Sequence, residues 1–190
     1  GLASGLVLGT LGYTHCCIED VGVLRTIPGM TIISPADSLE TVKALEAAVR
    51  SSNPTYIRLT GSSNNPIVYS KDYKFKIGQS ITLKEGEDVV IFSAGSMVHR
   101  SLQVSKILET KNISSRVVNM HTIKPIDKLA IEKACNAKLI VSVEEHNIIG
   151  GLGSAIAEYK SSLDKSPKQL FLGIKDTYSK GGNYQFLQEK

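Results

Sequence analysis

Residues 9–20 contain the side chains of this sequence that are best suited to chemistry. Thr14 and His15 stand next to each other, between a glycine-punctuated run and an acidic pair that begins a helical pattern. A neutral imidazole donates from one ring nitrogen and accepts at the other, so a histidine can move protons near neutral pH. Gly9 and Gly12 permit the tight turns of a ligand-contacting loop. Taken alone, His15 is more simply a loop histidine bonded to the backbone.

The cysteines predict neither a metal site nor a nucleophile. Cys16 and Cys17 follow His15 directly, but consecutive residues do not readily converge on one ion, and the sequence has no Cys-x-x-Cys partner. Adjacency in sequence is also no sign of a catalytic pair, and Cys135 fits a small apolar helix residue. Three cysteines are an odd number for a disulfide framework, so we expect a reducing, cytoplasmic location.

A second polar group, Glu144, Glu145 and His146, follows an apolar run in the second half of the chain. Ligand groups often lie at such strand ends in open parallel sheets. Two neighbouring carboxylates could do acid-base work, but such acids are more often solvated or paired with lysine. We expect a contact between subunits for this segment.

The glycines of the segment 150–153 stand where a strand gives way to a helix, and free N–H groups there could hold an anion. The full Gly-x-Gly-x-x-Gly/Ala signature of dinucleotide sites is not met, because Ile156 occupies its last position. Close packing of the helix on the sheet explains these glycines better than a nucleotide does.

Composition sets limits on the class of protein. The 190 residues are 42% hydrophobic with a mean hydropathy of −0.01, which is enough for one large core or two modest ones. No apolar run has the length of a membrane span, so no membrane partner is expected. The net charge is +4, but the lysines are scattered and few lie beside aromatic residues, so no nucleic-acid partner is expected.

The elements that must position these residues fall into two units. In residues 1–62, apolar β-branched runs at 31–34 and 55–59 predict strands, and Asp37 with Glu40 resembles a capping box before a helix. The unit therefore has αβαβ order. Residues 63–77 are turn-rich and charged, and we assign them as a linker.

Residues 78–190 predict a second domain with a parallel sheet covered on both faces, because continuous apolar runs alternate with helical patterns. The predicted strands are 89–93, 116–120, 139–143 and 170–174, and the predicted helices are 97–110, 127–137 and 153–163. Apolar residues at helical spacing in the last helix predict core packing, namely Leu152, Ile156, Tyr159 and Leu163.

Several stretches resemble the transketolase family. Residues 12–37 resemble its pyrimidine-binding domain around the Gly-Pro-Thr-His motif, and the similarity continues through 54–59, Lys124-Pro125 and 144–153. The resemblance implies an α/β fold in which a partial thiamine-diphosphate-binding (pyrimidine) domain is followed by a three-layer αβα C-terminal domain with a mainly parallel sheet. The match covers essentially the whole chain.

The family's activity follows as an expectation from this resemblance. Such enzymes are dimers that bind thiamine diphosphate between the pyrophosphate-binding part of one subunit and the pyrimidine-binding domain of the other, with magnesium on the diphosphate. They transfer a two-carbon ketol unit from a ketose to an aldose. His15 falls on the family's active-site histidine, which contacts the donor near its reacting oxygens. Gly12 and Thr14 fall on residues that shape that substrate-binding loop.

Departures from the family pattern limit the expectation. The usual acid before the glycine is Leu11, the proline is Tyr13, an upstream histidine aligns with Ala3 and a phosphate-binding arginine aligns near Gly61. These changes predict an altered donor site. Arg58 lies close by but on the alternate side of its strand, so it should point elsewhere.

The family's cofactor-activating glutamate, ring pocket, and pyrophosphate- and metal-binding domain have no counterpart in these residues. We therefore expect a section of a larger enzyme whose missing part is a domain or subunit of the same protein. The chain alone is expected neither to bind the cofactor or its metal nor to turn over a sugar or sugar phosphate. The assembly would be a homodimer or a split-subunit hetero-oligomer.

Other functions remain open at this stage. A deoxyxylulose-phosphate synthase or the beta subunit of a 2-oxo acid dehydrogenase shares this architecture. A non-catalytic dimerisation or regulatory module is the alternative from a different class. A nucleotide-binding module is a third, which the incomplete glycine signature disfavours.

Overall fold

The computed structural model describes residues 3–60, 65–178 and 180–189. The first unit begins with two single turns of 3-10 helix, Gly9–Leu11 and Tyr13–His15. The elements that follow are α1 (Asp20–Arg25), β1 (Thr31–Ile33), α2 (Ser38–Val49) and β2 (Thr55–Ile57). This αβαβ order is the predicted one, and β1 pairs with β2 in parallel.

The second unit is built on a five-stranded sheet. Its elements are β3 (Ile81–Lys84), β4 (Val89–Ser93), α3 (Met97–Glu109), β5 (Ser115–Asn119), β6 (Thr122–Lys124), α4 (Lys128–Ala134), β7 (Leu139–Asn147), α5 (Leu152–Lys160), β8 (Lys168–Ile174) and α6 (Tyr184–Gln188). The strand order is β3-β5-β4-β7-β8, and only β3 is antiparallel to its neighbour. The predicted α/β class with a mainly parallel sheet is confirmed.

Two strands were not predicted from the sequence, and one of them joins the two units. β3 is a short edge strand whose apolar and polar residues alternate. β6 leaves the large sheet directly after β5 and pairs antiparallel with β1, giving a second sheet of order β2-β1-β6. A strand from the second half of the chain therefore completes the sheet of the first half.

The hydrophobic core is continuous across the units. Val21 and Ile32 of the first unit belong to the same buried cluster as Phe92 and Met120 of the second. On α5, Leu152 and Ile156 are fully buried and Tyr159 packs against this cluster, as the helical stripe predicted. Leu163 lies beyond the end of that helix.

The amphipathic helix α2 is formed as predicted, but its apolar stripe is exposed. Asp37 caps the helix by accepting from the Glu40 backbone N–H at 2.9 Å. The Glu40 carboxylate accepts from the backbone N–H of Ala36, the residue before the cap, at 2.6 Å. Val42, Leu45 and Val49 face solvent. In the part of the chain that the structure describes, no helix combines the length and apolar character needed to cross a membrane.

Candidate functional site

The two 3-10 turns form a loop that carries Thr14 and His15 on the surface. Gly12 joins the turns with φ of +83°, a conformation that side chains with a Cβ rarely adopt, and open space surrounds the position where a Cβ would stand. The backbone N–H of His15 donates to the Gly12 carbonyl at 3.1 Å. Gly12, Thr14 and His15 are therefore brought together in one turn, and both side chains are exposed.

The hydroxyl of Thr14 orients the imidazole of His15. Thr14 Oγ1 lies 3.0 Å from His15 Nδ1. Because a hydroxyl both donates and accepts, this bond suits either neutral tautomer of the ring. The bond leaves the opposite nitrogen, Nε2, to donate to or accept from a ligand. The arrangement can contact a carbonyl or hydroxyl oxygen and move one proton there.

The C-terminal tail holds this loop in place. The Gly182 backbone N–H donates to the Gly9 carbonyl at 3.0 Å, and the rings of Tyr13 and Tyr178 lie 5.5 Å apart. Leu187 of α6 packs so closely on Gly9 that a Cβ there would overlap it. Sequence reasoning missed this contribution, because the contacting residues are far apart in the chain and the tail has no motif of its own.

Beneath the loop, Cys16 is a packing residue. It is buried with Leu6, Ile18 and Leu187. Burial and the nearby charge of Glu145 raise the pKa of the Cys16 thiol, which keeps it in the neutral form. This agrees with the inference that the cysteine is not an activated nucleophile.

A buried ion pair ties the segment after the loop to the rest of the molecule. Arg58 Nε donates to Asp20 Oδ2 at 2.8 Å, and the two side chains are only 5% and 7% exposed. Tyr56 donates its hydroxyl to the same oxygen at 2.8 Å. Burial opposes ionisation of Asp20, but the charge and hydrogen bond of Arg58 and the bond from Tyr56 outweigh it and lower the Asp20 pKa.

The Arg58 guanidinium donates to other residues of the chain, in agreement with its predicted orientation away from the loop. Its Nη2 donates to the carbonyls of Cys17 and Glu145, at 3.1 Å each. The guanidinium therefore joins β2, the start of α1 and β7. It is not available to a substrate.

The polar group at the end of β7 is buried within the chain, so the expected subunit contact is wrong. Glu145 accepts from the Leu6 backbone N–H at 2.7 Å and from Ser96 Oγ at 2.7 Å, and it also accepts from the Tyr184 hydroxyl. The His146 ring contacts the start of α1. These residues bind the first unit to the second and do not face a partner.

His146 is a neutral structural histidine. Its Nδ1 donates to the Asn147 carbonyl at 2.7 Å, which places the proton on that nitrogen. Its Nε2 then accepts from the Gly22 backbone N–H at 3.3 Å. Burial lowers the His146 pKa, so the nearby Asp20 carboxylate, 3.8 Å away, does not face an imidazolium.

The backbone N–H groups at the start of α5 could bind an anion, but they already donate to a carboxylate of this chain. Glu144 accepts from the backbone N–H groups of Leu152 and Gly153, at 2.6 and 2.8 Å. Burial raises the Glu144 pKa to about 7, although these two hydrogen bonds oppose the shift. A Cβ at Gly153 would stand 2.4 Å from the Phe171 ring, so this glycine serves close helix–sheet packing. The helix start is therefore not free for a nucleotide phosphate.

The loop offers hydrogen-bonding groups for one side of a substrate and, in His15, a single side chain of a metal-ligating type. Its polar groups are an imidazole, three hydroxyls and backbone amides, which suit contact with sugar oxygens. Among the described residues, no cluster of three or more His, Cys, Asp or Glu side chains could hold a metal ion. The donors therefore fit a ligand contacted from one side, and they do not fit the magnesium and diphosphate part of a thiamine cofactor.

Comparison with known proteins agrees with the fold. Residues 78–189 match the transketolase C-terminal domain, and residues 2–65 match the transketolase pyrimidine-binding domain. One of the subunits of the apulose-4-phosphate transketolase of Phocaeicola vulgatus is 38% identical over 96% of this chain and 58% of its own length. A 1-deoxy-D-xylulose-5-phosphate synthase of Magnetococcus marinus is 34% identical over 97% of this chain and 30% of its own length.

A solved structure described as a split-gene transketolase, inactive beta4 tetramer, superposes with a TM-score of 0.85 at 35% identity. The match covers 93% of this chain and 57% of the chain in that structure. The chain thus spans a little more than half of the apulose-4-phosphate transketolase and split-gene relatives. It belongs to the transketolase family, as the resemblance predicted, and family membership implies thiamine diphosphate as the cofactor.

Of the residues that depart from the family pattern, Leu11 and Tyr13 lie in the loop and Ala3 precedes it. Leu11 and Tyr13 are exposed beside His15, with Tyr178 against Tyr13. Ala3 precedes the loop and has φ of +60°. Gly61 lies outside the described residues.

Proposed function

We propose that this chain is the pyrimidine-binding and C-terminal section of a thiamine-diphosphate-dependent transketolase. In the complete protein it would take part in moving a two-carbon ketol unit from a ketose to an aldose. The observation that carries the proposal is the Thr14–His15 pair, which is exposed on a loop held from below and leaves Nε2 toward solvent. The cofactor, when bound, supplies the electron sink for cleavage beside a carbonyl.

His15 would contact the donor sugar near its reacting oxygens. Its imidazole, oriented by Thr14, can hold a donor hydroxyl proton during carbon–carbon cleavage and return it afterwards. Gly12 would permit the close approach of the substrate, because its turn has no side chain in the way. Magnesium and the diphosphate would be held by the partner.

A partner domain or subunit would complete the site. The exposed apolar stripe of α2, formed by Val42, Leu45 and Val49, supports a surface covered in the assembly. The related split-gene protein was solved as an inactive beta4 tetramer, which supports the view that such a section alone has no turnover. Either a homodimer of the complete protein or a split-subunit hetero-oligomer satisfies this proposal.

The donor would be a sugar or sugar phosphate that tolerates an apolar, aromatic wall. Leu11, Tyr13 and Tyr178 present that wall beside His15. The relative from Phocaeicola vulgatus is named for apulose 4-phosphate, which makes ketose phosphates the first donors to test.

The test is reconstitution with the pyrophosphate-binding part encoded with this chain. The complex is supplied with thiamine diphosphate and magnesium, and ketol transfer is followed with ketoses and ketose phosphates as donors. His15→Ala should lower turnover at least about a hundredfold, the usual contribution of general acid–base catalysis. His99→Ala, on α3 and away from the loop, is the matched control and should leave turnover unchanged.

Two other outcomes separate the alternatives. Consumption of pyruvate with no transfer from ketoses would assign the chain to a deoxyxylulose-phosphate synthase or a 2-oxo acid dehydrogenase. Stable association without turnover of any donor, unaffected by His15→Ala, would assign it to a non-catalytic module. Either result would refute the transketolase proposal.

A further inference from the structure

A cavity of about 560 Å³ lies on the second unit, at the carboxyl ends of β7 and β8. The start of α3 forms one side and the C-terminal tail with α6 forms the other. The wall is mainly apolar and includes Val143, Leu172, Ile174, Phe186 and Leu187. The volume falls within the range of roughly 300–1,000 Å³ that small-molecule sites occupy.

The cavity lies beside the point where the topology of the sheet reverses, between the start of α3, which follows β4, and the carboxyl end of β7. From β4 the chain moves to β5 on one side, and it then crosses to β7 on the other side of β4. Helices α3 and α4 make these two crossings, while β4 and β7 themselves remain paired side by side up to Ser93 and Val143. Ligands of open α/β sheets bind in the crevice at such a switch point.

The charges that face the cavity from its rim are positive. Arg100, Lys175 and Lys180 line it, and among the described residues none of the three forms an ion pair with a carboxylate. Among the described residues, Arg100 donates to the side-chain oxygen of Gln188, a neutral partner that an anion can replace. Lys175 and Lys180 are exposed and form no side-chain hydrogen bond among the described residues.

The two carboxylates in the wall do not cancel this charge at the surface. Glu144 is buried and satisfied by two backbone N–H groups at the start of α5. Glu145 is buried and accepts from Leu6, Ser96 and Tyr184. A molecule entering the cavity therefore meets cations at the rim and an apolar wall inside.

We propose that this cavity binds a small amphipathic anion. Its apolar body would lie against Val143, Leu172 and Phe186, and its carboxylate, phosphate or sulfonate would bind Arg100 with Lys180. The site is separate from the His15 loop, and its binding does not depend on the proposed transketolase activity. The two are joined physically, because Leu187 lines the cavity and also packs on Gly9 of the loop.

The binding experiment uses 8-anilinonaphthalene-1-sulfonate, which combines aromatic rings with one anionic group and fluoresces when its rings leave water. Titrated into the full 190-residue chain, it should bind saturably at one site. Arg100→Gln should raise the dissociation constant about tenfold, because a charged hydrogen bond is lost. Leu172→Gln should raise it by about the same factor, because apolar contact is lost. Lys180→Gln repeats the charge test at an exposed residue outside the helices and strands, so it remains informative if Arg100→Gln fails to fold.

Matched controls locate the probe. Lys106→Gln removes a positive charge from the exposed face of the same helix α3, and Val49→Gln breaks the exposed apolar stripe of α2. Both should leave the affinity within about twofold of the wild-type chain. If Val49→Gln abolishes binding while the cavity variants do not, or if the wild-type chain does not bind the probe, the proposal is wrong.

Competition identifies the chemistry of the ligand. Octanoate and octyl phosphate should both displace the probe, and their relative affinities separate a carboxylate from a phosphate ligand. Inorganic phosphate and octanol should each compete at least about tenfold more weakly than the charged amphiphiles, because each satisfies only half of the site. Equal competition by octanol would overturn the assignment of an anion.

Discussion

Replacing Asp20 by alanine should destabilise the chain strongly, although Asp20 contacts no proposed ligand. The substitution removes the carboxylate that accepts from Arg58 and Tyr56, both at 2.8 Å. Arg58 keeps its charge and remains 5% exposed, held by two backbone carbonyls at 3.1 Å. An uncompensated buried charge is left between β2, the start of α1 and β7.

The expected cost follows from this burial. Removing one partner of a buried ion pair costs about 3–5 kcal/mol of unfolding free energy, because the remaining charge stays desolvated. In the double variant Asp20→Leu/Arg58→Met, no charge remains, and the main loss is the hydrogen bonds to the Tyr56 hydroxyl and to two carbonyls, about 1 kcal/mol each. The loss of unfolding free energy in the double variant should therefore be at least about 2 kcal/mol smaller than the sum of the losses in Asp20→Leu alone and Arg58→Met alone.

Urea unfolding of the purified chain, followed by circular dichroism at pH 7, measures these differences. Asp72→Ala is the matched control, because Asp72 pairs with Lys43 at 2.5 Å but is 86% exposed, and its removal should leave stability unchanged. Strictly additive losses, or a loss below about 1 kcal/mol for Asp20→Ala, would refute the argument that the pair is coupled and buried.

The pH dependence gives an independent check. The Asp20 pKa is lower in the folded chain, so the pair contributes its full stability above the unfolded pKa of about 3.9, and that stability is lost as the pH falls through the folded value. The wild-type chain should therefore lose stability below about pH 4 more steeply than Asp20→Asn does.

Three further predictions concern the core and the loop. Burial lowers the His121 pKa to about 4, so acidification from about pH 6.5 to 4 should cost about 3 kcal/mol, and His121→Phe should flatten this part of a urea-stability profile. Gly153→Ala should cost about 1–3 kcal/mol in the same assay, since its Cβ would overlap Phe171; a gain, as expected for an unhindered helix glycine, would contradict the packing. Tyr178→Ala should speed hydrogen exchange of the His15 amide about tenfold by mass spectrometry, whereas Tyr159→Ala should not.

The sequence predicted the elements that local patterns encode. The apolar runs that became β4, β5 and β7 are recognisable because these parallel strands are buried on both faces, whereas β8, also found from its apolar run, is a half-exposed edge strand. The Asp37 cap and the periodicity of α5 are equally local, since they depend on residues three or four apart. Neither the edge strand β3, which alternates apolar and polar residues, nor β6, which has one apolar residue in three, contains the continuous apolar run of a buried strand. Only their neighbours in the sheets explain them.

For the candidate site, the sequence indicated Gly12, Thr14 and His15, which are neighbours in one turn and need no long-range contact to lie together. The sequence could not show what supports them. Tyr178 and Leu187 reach the loop from the far end of the chain, and neither has a motif that predicts this contact.

Only the tertiary structure decided which partners the charged residues bind. Glu144 and Glu145 could have been catalytic, solvated or at an interface, and the predicted orientation of Arg58 away from the loop did not reveal its partners. Their partners differ in sequence position by as much as 139 residues, as for the bond from Leu6 to Glu145. Which charge is buried, and against which donor, depends on how the two units pack, because a buried carboxylate is tolerated only where the fold brings donors to it.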